Sequence, residues 1–277
     1  RGAALLGLFA TAGDVANIPM AALFGPILRP LLAAFAHLGT DRQRRAASFQ
    51  TASSAILTIG LPLLITESLL AEPIVLIILG ERWRTAAPML QWMALSLIPG
   101  LFAMASQPLA MAAGRTDLIF RRNLIEFAVK VPFVLLGLVL YGVWGVIAAR
   151  VVSEIACAAY GMHVVRLLSD LPMRRQLAIS RRPIAAVIFM AISIVAILAI
   201  IPRGNGPAIA VLQAVIAGGV GTLVYAAALI WLWQRAGRPP GIEAKACHAA
   251  KAGLARLRAG LDRPGRHPIA TAAQNSD

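Results

Sequence analysis

PIAAVIFMAISIVAILAII, residues 183–201, decides the fold class. No ionisable side chain interrupts it, while Arg181-Arg182 precede it and Arg203 follows. As an α-helix rising about 1.5 Å per residue, it matches the ~30 Å hydrocarbon core of a bilayer. Six further stretches of the same kind lie at about 3–36, 46–79, 86–113, 119–140, 143–168 and 207–233. Charged residues are only 14% of the chain, hydrophobic residues 59%, and the mean hydropathy is +0.76. A soluble domain carries roughly a quarter charged residues. Backbone groups in lipid must be paired within the spanning segment, which favours helix over open sheet. The expected fold is therefore all-α: a polytopic transmembrane helix bundle of about seven spans.

The stretches at 3–36 and 46–79 are too long for straight spans. They contain Pro19, Pro26 and Pro30, and Pro62 and Pro73, respectively. Proline removes a backbone donor and kinks a helix. Bent spans are expected, with Pro19, Pro26 and Pro62 as candidate hinges and residues 74–79 as an interfacial piece. Glu67 and Glu72, near that end, are expected at the interface.

The formal charge of +14 is explained by position. Alternating the loops across a membrane puts Arg42, Arg44 and Arg45 on one side with Arg115, Arg121 and Arg122. Arg166, Arg174, Arg175, Arg181, Arg182 and the tail cations from Arg235 to Arg266 join them. The other side holds Arg1, Arg82, Arg84 and Arg203. Cytoplasmic loops are enriched in Lys and Arg, so the C-terminus is expected in the cytoplasm. Nucleic acid is not an expected partner, because no basic face interleaved with aromatic residues is present. The tail, 234–277, is basic and rich in Gly, Pro and Ala. Ile242, Ala246, Ala250, Leu254, Leu257 and Leu261 would share one face of an interfacial helix, with disorder the alternative.

No HExxH, GxSxG or Walker A motif occurs, and the four histidines are scattered. Cys157 and Cys247 lack any partner spacing and read as unpaired thiols. No enzyme activity, metal or cofactor is expected. The glycine runs 142–145 and 218–221 read as helix-packing positions rather than phosphate loops.

Ionisable residues inside the spans carry the functional signal. Each costs roughly 2.5–3.5 kcal/mol at a span centre on insertion scales. They are Asp14 and Arg29, Glu126 and Lys130, and Arg150 and Glu154. The last two pairs are spaced i,i+4 and share a helix face. One reading is mutual neutralisation that pins helices together. The other is a cavity in which Arg29, Lys130 and Arg150 meet an anionic substrate, with Asp14, Glu126 and Glu154 as charge partners or coupling groups. Arginine's planar fork suits phosphate.

Residues 14–49, DVANIPMAALFGPILRPLLAAFAHLGTDRQRRAASF, resemble a motif of bacterial polysaccharide flippases, through Asp14, Ile18-Pro19, Pro26 and Arg29. Residues 60–95 resemble a second signature, through Leu61-Pro62, Leu70-Ala71-Glu72-Pro73, Leu79-Gly80, Trp83 and Ala87-Pro88. LAMAAGRTD (109–117) and YGVWGVIAARVVSEIA (141–156) are similar to two more. Ala22, Pro30 and Ala33 depart from the pattern. The resemblance is to the polysaccharide transporter branch of the multidrug/oligosaccharidyl-lipid/polysaccharide exporter superfamily. It implies two helical lobes around a central cavity, a bacterial inner-membrane location and a lipid-linked oligosaccharide as substrate.

On that basis residues 1–168 are expected to be most of a C-terminal lobe and 169–182 a basic cytoplasmic loop. Residues 183–233 would be two trailing spans, and the chain a fragment whose N-terminal lobe is missing. The alternatives are a drug/cation antiporter of the same superfamily and a membrane-bound polysaccharide polymerase or ligase. The latter needs a long outer loop, whereas the loops at 80–85, 141–142 and 202–206 are short.

Overall fold

The computed structural model describes residues 2–201 and 206–237. The proposed tail helix, and Arg1, Arg203 and Cys247, lie outside the described residues. Every regular element described is helical, and seven are long and apolar enough to cross a membrane. Helix α1 spans Gly2–Ala36 and α2 Arg42–Leu69, with α3, Ala71–Ile78, directly after it. A 3-10 turn at Glu81–Ala86 leads into α4, Ala87–Ser96, α5, Ile98–Ala103, and α6, Ser106–Ala112. Then come α7, Thr116–Tyr141, α8, Val143–Ser169, the short α9, Met173–Ala178, α10, Arg181–Ile200, and α11, Pro207–Arg235.

Local chemistry explains where several boundaries fall. Helix α2 begins at Arg42, ahead of its apolar run, because the Asp41 carboxylate accepts the free amides of Gln43 and Arg44 at 2.9 and 3.1 Å. Helix α1 stays continuous through Pro19, Pro26 and Pro30, and α2 through Pro62. The break in the second long stretch comes at Leu70, not after Pro73. Pro73 sits in the first turn of α3, where its missing donor is not required.

The third span differs from the single helix expected over 86–113. It is interrupted at Leu97 and again at Met104-Ala105. Pro88, Pro99 and Pro108 each fall in the first turn of a new segment. Side chains cover carbonyls near the breaks: Ser96 donates to the Met93 oxygen and Ser106 to the Ala103 oxygen, both at 2.6 Å. Irregular backbone at membrane depth is tolerated only where protein or a cavity lines it.

The basic connection at 169–182 is also more structured than expected. Asp170 adopts a left-handed conformation (φ 54°), and α9 follows. Gln176 is buried and its amide donates to the carbonyls of Met162 and Leu171. Arg42, the first residue of α2, pairs with Asp170 at 2.8 Å. That ion pair puts the first and third basic connections at one end of the bundle, as the alternating charge pattern requires. At the same end, between spans, the Asp117 carboxylate holds the Arg115 guanidinium above its ordinary value.

The main core runs from α2 into the two last spans. Leu57, Leu61 and Leu64 pack in one cluster with Met190, Ile194, Ala217 and Tyr225. The Tyr225 hydroxyl donates to the Thr58 carbonyl at 2.7 Å. Helices α10 and α11 are thus seated on α2 and α3. A smaller cluster joins α1 to α3 and α4 through Ala12, Ala16, Val75, Leu90 and Met93.

Both glycine runs serve packing. A Cβ on Gly221 would stand 2.6 Å from the Ile194 side chain. Gly137 of α7 and Gly145 of α8 bring two backbones into direct contact, where a Cβ on either would collide with the other's carbonyl. Gly142, at φ 61°, is the single residue that turns the chain between α7 and α8.

Candidate functional site

Helices α7 and α8 form an antiparallel hairpin that carries most of the intramembrane charge. Arg122, Glu126 and Lys130 repeat every four residues along α7, so they line one face. Glu126 sits between its two neighbours, 3.4 Å from the Arg122 guanidinium and 3.4 Å from the Lys130 ammonium. These contacts are longer than the ~2.7–2.9 Å of a strong charge-assisted hydrogen bond. Glu126 thus contacts both cations without a close hydrogen bond to either.

Helix α8 adds Arg150 and Glu154. Lys130 and Glu154 are equidistant in sequence from the Gly142 turn and so lie at similar depth. The charges of Arg150, Glu126, Arg122 and Lys130 all reach Glu154 electrostatically. Arg150 and Glu154 form no ion pair with each other among the described residues. Arg150 instead donates to the Asn17 side-chain oxygen of α1 at 3.5 Å, which ties α8 to α1.

The broken third span meets this face. Its segments leave a cavity of about 240 Å³ bounded by α1, α5, the α5–α6 break, α7 and α8. Gln107, Arg122 and Glu154 supply its polar lining, and Met20, Gly100 and Cys157 part of the rest. Gly100 lies against Glu154: a Cβ at that position would stand 3.0 Å from a carboxylate oxygen. Cys157 is a buried free thiol.

The expected site residues are thus divided. Glu126, Lys130, Arg150 and Glu154 belong to one charged seam. Asp14 and Arg29 are exposed on α1 and make no ion pair among the described residues. Pro26 is exposed, and Pro19 and Pro62 are half-buried.

Two functional candidates escaped the sequence reading. Arg122, assigned to a loop because Arg115 and Arg121 precede it, lies inside α7 with its side chain 23% exposed. Its spacing to Glu126 and Lys130 is the signal that identifies it. Glu67, expected at the interface, is instead 4% exposed in the core. Glu72 does lie at the surface, where it pairs with Arg84 at 2.6 Å. No group of three or more His, Cys, Asp or Glu side chains suited to a metal ion occurs among the described residues.

Seven apolar spans, one of them broken beside a charged cavity, define a polytopic helical membrane protein. Residues 1–88 match the family described as polysaccharide biosynthesis protein. The chain is 29% identical to the lipopolysaccharide biosynthesis protein WzxC of Escherichia coli (strain K12) over 148 residues, 52% of this chain and 30% of the relative. It is 27% identical to the succinoglycan biosynthesis transport protein ExoT of Rhizobium meliloti (strain 1021) over 241 residues, 83% of this chain and 46% of the relative. No solved structure shows a significant match. The matches span less than half the length of these relatives. The chain is thus similar to proteins of polysaccharide biosynthesis and transport, in line with the resemblance of its motifs.

Proposed function

We propose that the protein containing this chain moves a lipid-linked, undecaprenyl-diphosphate-type oligosaccharide across the bacterial inner membrane for polysaccharide or lipopolysaccharide synthesis. The observation that carries this reading is the Arg122–Glu126–Lys130 ladder beside Arg150 and the cavity of the broken span. A pyrophosphate entering there competes with Glu126 for two cations that Glu126 holds only loosely. The apolar lipid tail needs no dedicated site, since the exposed face of α7 is already hydrocarbon-like. Transport needs the substrate held and released rather than chemically changed.

The relatives are longer than the aligned region, and a second helical lobe is proposed to close the cavity from the opposite side. Alternating access would then come from one lobe rocking against the other, with Pro19, Pro26 and Pro62 as bending points. The positive-inside pattern supports a cytoplasmic C-terminus. The kinship to a named transport protein supports a carrier over a polymerase or ligase.

Complementation of a flippase-null strain by the full-length protein tests the reading. Arg122→Ala and Arg150→Ala are expected to abolish surface polysaccharide at normal membrane levels, and Arg29→Ala to have a smaller effect. Full activity in both the Arg122 and Arg150 variants would sink the cavity role. Rescue that depends instead on drug efflux would favour a cation antiporter.

A further inference from the structure

Residues 173–183, which hold α9 and the start of α10, include Arg174, Arg175, Arg181 and Arg182 and no acid. Other cations at this end of the bundle are answered by carboxylates: Arg42 by Asp170, Arg44 by Asp41 and Arg115 by Asp117. Asp170, the acid nearest to α9 in sequence, is thus engaged by a cation from another connection. None of the four arginines forms an ion pair among the described residues. A cluster of guanidinia without counter-charge is a site for an anion supplied from outside the fold.

The corner is held in place by polar contacts that leave its charge untouched. Buried Gln176 donates to the Met162 and Leu171 carbonyls and clamps α9 against the end of α8. The Ser180 hydroxyl donates back to the Leu177 carbonyl, so it does not cap α10. Arg181 and Arg182 open α10, and its first turn carries no acid. Cations in that position add to the positive end of the helix dipole, a like-charge arrangement that a bound anion relieves.

Helix α11 brings a further cation to the same level. A Cβ on Gly221 would meet both Ile194 and Met190, which sets the register of the antiparallel pair α10–α11. Counting equal distances outward brings Arg181 and Arg182 level with Trp231 and Leu232. The Arg235 guanidinium lies over the Trp231 ring, 4.2 Å from its centroid. Tryptophan beside a cation at the end of a span is the pairing expected at the headgroup level of a bilayer.

Below the cations the surface turns apolar. Ile184, Ile188, Ile192 and Val195 follow Arg181 along α10 at helical spacing, and all four are exposed. On a spanning helix that stripe meets acyl chains. Charge at the helix end and hydrocarbon beneath it follow the order of a phospholipid lying along α10.

We propose that the α9–α10 corner binds an anionic phospholipid. Its phosphodiester meets Arg181 and Arg182, within the positive field of Arg174, Arg175 and Arg235, and an acyl chain follows the α10 stripe. The site is separate from the α7–α8 seam and does not depend on the transport reading.

Native mass spectra of the full chain in detergent, titrated with phosphatidylglycerol or phosphatidylcholine, test it through the affinity of the tightest lipid site. Phosphatidylglycerol is expected to bind wild type more tightly than phosphatidylcholine. A surface cation contributes about fivefold to such binding, so Arg181→Gln with Arg182→Gln is expected to weaken it by about 30-fold. Arg44→Gln with Arg45→Gln removes the same charge from the same end and is expected to leave it unchanged. Equal affinity of wild type for the two lipids, or equal weakening by the two double variants, overturns the site. Displacement of bound phosphatidylglycerol by an equal concentration of inorganic phosphate overturns the lipid as its occupant. Should Arg181→Gln with Arg182→Gln not accumulate, Arg174→Gln with Arg175→Gln is expected to weaken binding as well, and unchanged affinity overturns the site equally.

Discussion

Arg122 and Lys130 share one carboxylate, and each contact is long. Removing Glu126 therefore frees two cations instead of orphaning one. Glu126→Gln is expected to strengthen binding of pyrophosphate to the purified full-length protein while slowing release, measured by calorimetry and by transport in vesicles. Arg122→Ala is expected to weaken the same binding by about 10–100-fold, the equivalent of one charge-assisted hydrogen bond. Weaker pyrophosphate binding in Glu126→Gln would show that Glu126 orders the cations and does not compete for them. The i,i+4 rule already placed Glu126, Lys130, Arg150 and Glu154 on common faces. It did not show that Arg150 prefers Asn17 to Glu154, because that choice depends on how close α1 comes. Arg122 was misplaced for a similar reason: a cation a turn and a half into a helix looks like a loop cation when other arginines precede it.

At the scale of helices, the small residues set the distances. Gly137 and Gly145 allow α7 and α8 to touch along their backbones. Gly145→Val has no room for its side chain, and a clash of this kind costs about 1–3 kcal/mol. It is expected to lower the thermal unfolding midpoint in detergent, whereas Gly219→Ala, with open space at its Cβ, does not lower it. Asp41→Ala removes the N-cap of α2 and its two amide contacts. A loss of about 0.5–2 kcal/mol is expected by the same assay. The lengths and order of the spans were legible in the hydropathy. The breaks in the third span were not, since prolines inside α1 and α2 leave the helix continuous while Pro99 and Pro108 do not. The difference is tertiary: α5 and α6 pack on α8, where Gly161 admits Ala103 and Ser106, and the interrupted backbone is covered there.

Across the whole molecule, the charge pattern and the Arg42–Asp170 pair agree on which connections share an end. Cysteines introduced at Gly39 and Pro172 are expected to resist a membrane-impermeant maleimide in intact cells, and one at Glu81 to react. Labelling of all three from outside would break the alternation of seven spans. The placement of α10 and α11 was not legible in the sequence. Their apolar runs identify spans, but only the Tyr225–Thr58 bond and the shared core show that they buttress α2. Glu67 was misjudged for a related reason. Distance along the chain from a helix end gives depth but says nothing of which neighbours close over a side chain.

The one-residue turn at Gly142 also has a bearing on how the chain enters the bilayer. With only Gly142 between them, α7 and α8 have little freedom to be released into lipid one after the other. They are expected to leave the insertion machinery as a pair. That order lets the charges of α7 meet those of α8 before either helix confronts hydrocarbon alone. Separating the two helices with a long polar linker should therefore impair insertion of the very segments that the linker leaves chemically untouched.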